Sequence, residues 1–201
     1  MIPSRPPQSL FDQCDQYEAM LEEGIRLSGE GKEFFLRGRV GELRRSLPPG
    51  FSPRRVLDFG CGTGETTAFL AEQFPEAEVL GVDASAKAID YCRAKVGAVR
   101  TSFETMASLP RLPTFDLGYV NGVFHHVPPA DRLAVLGLLR GCMVEGGCLG
   151  FFENNPYNPG TRLVMRRIPF DRDAVPLTAS AARRLLTQGG FGRILSTRYL
   201  F

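Results

Sequence analysis

The chain reads as an α/β protein with a doubly wound, mostly parallel sheet and helices on both faces. Three observations predict it. From Arg54 onward, short apolar runs alternate with stretches of helical periodicity, and that alternation builds a parallel sheet. The run Arg54-Arg55-Val56-Leu57-Asp58-Phe59-Gly60-Cys61-Gly62-Thr63-Gly64 passes from an apolar strand into a glycine turn and opens a helix. A second apolar run, Val79-Leu80-Gly81-Val82, ends on Asp83, nineteen residues after Gly64.

A length of 201 residues suits one domain with a sizeable core. Residues 1–9 are proline-rich. Residues 10–47 carry a helical pattern through Leu10, Phe11, Cys14, Tyr17, Leu21, Phe34, Val40, Leu43 and Leu47, divided by Gly24, Gly29 and Gly31 into at least two helices. Residues 1–50 therefore form an N-terminal helical part, and 51–201 the sheet part of the same domain. The patterns predict strands over 55–59, 78–82, 98–103, 115–121 and 148–152. Helices are expected from 65 to about 74, over 85–96, from Pro128 through the leucines at 133, 136, 138 and 139, and over 178–188. Gly146 and Gly147 read as the turn before the fifth strand, and a last strand is expected over 192–201.

Composition narrows the partners. A net charge of +2 argues against nucleic acid or an anionic membrane surface. The cysteines, Cys14, Cys61, Cys92, Cys142 and Cys148, are odd in number and form no C-x-x-C pair, so neither a zinc site nor a disulfide framework is indicated. The sequence shows no acidic cluster that points to a metal, no apolar signal-peptide core and no stretch long enough to span a bilayer. The expected location is the reducing cytoplasm.

The glycine turn and Asp83 define a candidate site. Gly60, Gly62 and Gly64 let the backbone approach a ligand closely. A carboxylate placed like Asp83 in a βαβ unit holds ribose hydroxyls. The pattern is G-x-G-x-G, with Glu65 where a dinucleotide fingerprint has its third glycine, and Asp58 adds a second carboxylate. That charge repels a pyrophosphate and suits a ligand bearing an ammonium group. S-adenosyl-L-methionine, with its ammonium, sulfonium and ribose, fits.

Four segments in series, 56–64, Gly81-Val82-Asp83-Ala84-Ser85, Phe115-Asp116-Leu117 through His125-His126-Val127, and Glu145-Gly146-Gly147, resemble the ordered motifs of class I S-adenosylmethionine-dependent methyltransferases. The resemblance covers residues 54 to about 200 and implies a Rossmann-like fold, with S-adenosyl-L-homocysteine as product. It implies that the N-terminal helices form a lid, with Tyr17 near the adenosine or substrate and Arg39 at the methionine carboxylate. Asp83 and Ala84 would lie at the ribose, Gly60, Cys61, Gly62 and Gly64 along the methionine, and Asp58 at its ammonium, directly or through water. Thr105 and Met106 align with the adenine contact of many relatives, where this chain lacks the usual acidic residue; Glu104 is the neighbouring alternative. Asn121 and Gly122 would close the cofactor site after the fourth strand.

His125 and His126 follow at the expected methyl position, and an imidazole there is either a general base or a packing and hydrogen-bonding group. His126 is the preferred base. Glu153, Asn154 and Tyr157, after the fifth strand, are candidates for acceptor contact; the alternative is a turn whose asparagines cap the backbone. Asn-Pro-Tyr at 155–157 is similar to the Asn-Pro-Pro-Tyr motif of amide and adenine methylating enzymes, but it follows the wrong strand. The expected function is methyl transfer to a small-molecule acceptor. A non-catalytic cofactor-binding protein and methylation of RNA or protein remain the alternatives. The sheet departs from the family in lacking residues for the usual seventh, antiparallel strand, and the exposed edge that results predicts a homodimer or a mobile end.

Overall fold

In the computed structural model, the described residues are 26, 29–97, 99–111, 114–168, 171, 173–198 and 200. Tyr17 and residues 1–25 lie outside them. The described elements begin with helix α1 (Lys32–Ser46), then β1 (Arg55–Phe59), α2 (Glu65–Gln73), β2 (Glu78–Asp83), α3 (Ala86–Lys95) and β3 (Thr101–Thr105). A short 3₁₀ turn (Met106–Arg111) leads to β4 (Phe115–Asn121), α4 (Arg132–Gly141), β5 (Met143–Phe152), α5 (Pro159–Arg167) and α6 (Ala179–Gln188).

The five strands form one all-parallel sheet in the order β3-β2-β1-β4-β5. β1 lies at the centre, with Phe59 opposite Val82 on one side and Val120 on the other. Strand order reverses between β1 and β4, and a ligand crevice opens beyond the carboxyl ends at such a switch. Alternation along the strands divides the core. Leu57, Phe59, Val82 and Val120 pack with Leu136 and Leu139 of α4 on one face. Val56, Val79, Leu117 and Tyr119 pack with Val40 and Leu43 of α1 and Leu70 of α2 on the other. Burial on both faces explains why the strands read as continuous apolar runs.

Several boundaries differ from the sequence reading. β3 occupies Thr101–Thr105 rather than 98–103, pairing Thr105 with Asp83 at the strand ends. β5 starts at Met143, because Gly146 and Gly147 form an irregularity inside the strand: the partner of Phe115 is Met143, and that of Leu117 is Cys148. α4 begins at Arg132, not Pro128. The Pro129 ring disfavours helical geometry at Pro128, so a turn closed by Asp131 N–H on the Pro128 carbonyl precedes the helix. α5 was not expected. The described residues of 192–201 form no strand; side chains anchor the segment instead, through Arg198 to Glu42 at 3.1 Å and Arg183 to Thr197 at 3.1 Å. No seventh, antiparallel strand occurs among the described residues. No helix among them is long and apolar enough to cross a membrane.

Candidate active site

The cofactor half of the site is built by the turn from β1 to α2. Gly60 (φ +82°) and Gly64 (φ +82°) are left-handed and crowded: a Cβ on Gly60 would run into Val123, and one on Gly64 would lie 2.9 Å from Val96 Cγ2 and 3.0 Å from Cys92 Sγ. Gly62 (φ +53°) differs, since a Cβ there would meet nothing within 4 Å. Its outer side is open space. The turn is tied to β2 by Gly60 N–H and Cys61 N–H, which donate to Val82 O at 2.8 and 3.0 Å. Asp83 completes the frame, accepting from Gly62 N–H at 3.0 Å and Ser85 N–H at 2.9 Å.

Two carboxylates converge here. Asp58 is 2% exposed and accepts from Thr67 Oγ1 at 2.7 Å. Burial pushes its carboxyl up to about 7; the Thr67 hydrogen bond opposes this and the charge of Asp83 adds to it. Burial also raises Asp83, against the N–H groups of Ser85, Gly62 and Ala84. Among the described residues neither forms an ion pair. Tyr119, fully buried on β4, has a hydroxyl with no hydrogen-bond partner among the described residues, and Arg39 lies within electrostatic reach of it. The Cys61 thiol is driven up by its contact with Cys92, by burial and by the neighbouring carboxylates, so it is no nucleophile.

Glu65 opens α2, where its charge favours the helix N-terminus, and pairs with Lys32 at 3.1 Å. Thr105 ends β3 beside Asp83, and Met106 packs against the core. Glu104 pairs with Arg93 at 3.1 Å. Asn121 ends β4, and Gly122 (φ +68°) donates its N–H to Phe152 O at 2.9 Å.

The second half lies just beyond β4. Glu153 holds the loop: Oε1 accepts from Val123 N–H at 3.1 Å and Phe124 N–H at 2.7 Å, while Oε2 lies 2.6 Å from His125 Nδ1. Both its oxygens are therefore occupied within the protein. Asp171 faces the pair from the other side, with Oδ1 at 3.4 Å from His125 Nε2 and 3.3 Å from His126 Nε2. Burial lowers the His125 imidazole, but the carboxylates of Asp171 and Glu153 outweigh it and hold it up at about 9. Asp171 is placed by its neighbours, since Val175 N–H donates to His125 O at 2.8 Å and Arg132 donates to the Val127 and Val175 carbonyls. Sequence reasoning missed Asp171; no motif or periodicity marks it.

Asn154 lines a cavity of about 1020 Å³ along β5, shared with Arg39, Glu42, Phe152, Asp171 and Arg198. Tyr157 is 68% exposed in the following turn. Asn158 caps α5, accepting from Gly160 and Thr161 N–H, with Pro159 in its first turn. That Asn-Pro pair was the sequence signal for α5.

Fold and site together define a Rossmann-like domain with a nucleoside-cofactor crevice. Residues 56–147 match the family described as a methyltransferase domain. Over 141 residues the chain is 36% identical to a trans-aconitate 2-methyltransferase of Methylobacterium nodulans, covering 68% of this chain and 52% of that protein. The chain thus spans about half the length of the curated relatives it matches. The plantazolicin methyltransferase BamL, solved in complex with a triazolic desmethylPZN analog and SAH, superposes with a TM-score of 0.59 at 17% identity, covering 89% of this chain and 75% of that one. The mycolic acid cyclopropane synthase CmaA1, complexed with SAH and CTAB, gives 0.64 at 14% identity, over 93% and 75%. These structures share the fold. The chain carries a methyltransferase domain of the class I S-adenosylmethionine-dependent superfamily.

Proposed function

We propose that this chain transfers a methyl group from S-adenosyl-L-methionine to a small-molecule acceptor. One observation carries the reading: the buried carboxylate of Asp58 and the part-buried one of Asp83, both raised by burial and the first also by the charge of the second, lie beside an open glycine turn, and no basic side chain pairs with either among the described residues. A cationic nucleoside meets that demand. Asp83 would take the ribose, Gly62 the close backbone approach and Asp58 the ammonium; Arg39 and the orphaned Tyr119 hydroxyl suit the methionine carboxylate. The cofactor supplies a methyl group already activated on sulfur. The protein's part is to exclude water, orient the acceptor and take its proton, and His126, the more exposed of the pair, is the candidate for the last.

Arg39, Arg183 and Arg193 line the cavity along β5 beside the ion-paired Arg198 and Glu42, which favours an anionic acceptor and makes trans-aconitate, named for the relatives, the first to try. The reading includes a cytoplasmic location, supported by four thiols without disulfides among the described cysteines, and no nucleic-acid partner. It also includes a homodimer, supported by the outward edge of β5, which has no partner strand among the described residues.

The test is release of S-adenosylhomocysteine, by mass spectrometry, with trans-aconitate and a panel of anionic and neutral acceptors. Failure to bind either form of the cofactor in calorimetry refutes the proposal. Binding without transfer to any acceptor leaves the non-catalytic alternative in its place.

A further inference from the structure

We propose that His125, His126 and Asp171 form a binding site for a divalent transition-metal ion, zinc being the ion their geometry fits. The three side chains each present one ligand atom, and these atoms lie within 4.8 Å of one another. Two imidazoles and one carboxylate are a donor set that first-row divalent ions favour. The inference concerns these side chains alone and stands whether or not the cofactor binds.

Distances select the geometry. Ligands at about 2.0–2.1 Å around a tetrahedral ion lie about 3.3–3.4 Å apart, whereas neighbouring ligands of an octahedral ion lie about 3.0 Å apart. Asp171 Oδ1 is 3.4 Å from His125 Nε2 and 3.3 Å from His126 Nε2. Those two edges already match a tetrahedron. The third edge, between the two imidazole nitrogens, is at most 4.8 Å, and a shared ion would draw it in.

Two further observations point to a bound cation. Asp171 Oδ1 is buried with no hydrogen-bond partner among the described residues, although two imidazole nitrogens lie within hydrogen-bond range. His125 Nδ1, meanwhile, is held by Glu153 at 2.6 Å. That contact anchors the ring with Nε2 facing Asp171. A carboxylate behind a ligating histidine is the usual outer support of a metal site, fixing its tautomer and ring orientation. Asp171 also lines the cavity along β5. With the ion bound, His126 is a ligand and no longer a base.

The test uses the full chain, stripped with chelator and titrated with Co²⁺ and then with Zn²⁺ against a chromophoric competitor. The expected result is one ion per chain, with the strong visible bands of four-coordinate cobalt and no thiolate charge-transfer absorption, which excludes the cysteines. Asp171→Asn and His126→Gln should each weaken binding by at least about tenfold, and Glu153→Gln by about 10- to 100-fold, without changing the far-ultraviolet circular dichroism. His126→Gln, on a partly exposed loop, keeps the test valid if the buried variants misfold. No cobalt bands, or affinity undiminished in His126→Gln, overturns the proposal.

Discussion

Asp58→Asn separates the stability of the cofactor site from its use. Asp58 is a buried acid whose carboxyl rises from the ordinary 3.8 to about 7. The folded chain then holds a proton that the unfolded chain has lost, so stability falls as pH rises through this window, the reverse of a salt-bridged aspartate. At about 1.4 kcal/mol per tenfold, the full loss above pH 7 is about 4 kcal/mol, and the part between about pH 5.5 and 8.5 is about 2 kcal/mol. For a domain of this size that is about 4–8 °C in melting temperature. Asparagine still accepts from Thr67 Oγ1 and never ionises. The variant should therefore gain about 4–8 °C on the wild type between those two pH values in cofactor-free thermal scans. Cofactor binding should run the other way. If the ammonium needs the ionised carboxylate, wild-type affinity for S-adenosylhomocysteine falls about 30-fold from about pH 8.5 to 5.5, while the weaker affinity of the variant stays flat. Identical pH dependence of both quantities in the two proteins refutes the reasoning.

The glycine turn yields a contrasting pair. Gly62→Ala has open space for its methyl, so it should cost only about 1–2 kcal/mol of left-handed strain in urea unfolding while abolishing cofactor binding in calorimetry. Gly64→Ala meets Val96, Cys92 and Phe103 and should lose about 3 kcal/mol or more on the same measurement; equal stability of the two variants would contradict the geometry. Asp83→Ala should lower affinity for S-adenosylhomocysteine by about 10- to 150-fold, the worth of one charge-assisted hydrogen bond, with unchanged calorimetry as the contrary result. Glu153→Ala strands the N–H groups of Val123 and Phe124 and the His125 ring in a buried place, and about 3–5 kcal/mol of stability should go with it in denaturant titration.

The parts of the fold legible in the sequence were those written in local chemistry. The strand-glycine-helix passage at 54–64 and the terminal Asp83 marked the first βαβ unit, because both need particular residue types at fixed offsets. Boundaries slipped where two local signals competed. Gly146 and Gly147 have turn chemistry, yet pairing with β4 on either side absorbs them into β5. Pro128-Pro129 has helix-start chemistry, yet the second proline delays the helix to Arg132. Along the tail, the alternation of residues 192–198 resembled a strand, but its arginine and threonine are drawn to Glu42 and Arg183 rather than to the β5 ladder. Asp171 was illegible for a different reason: its partners lie 45 and 46 positions earlier, and only the tertiary fold brings them together.

The distribution of buried charge divides the site by function. Asp58 and Asp83 are acids of like charge on adjacent strands, with only hydroxyl and backbone donors among the described residues. A fold that merely needed hydrogen bonds there could use neutral side chains at lower cost, since an unpaired buried carboxylate is expensive. Keeping two of them makes physical sense only where a cation arrives from outside. Glu153 and Asp171 are equally buried but already have imidazoles between them, so their charge is met within the protein or by an ion those imidazoles share. The first pair thus has no cationic partner among the described residues, whereas the second has imidazoles beside it, acting alone or as co-ligands of an ion. It follows that removing charge from the first pair should raise stability and lower cofactor affinity, whereas removing it from the second should lower stability first.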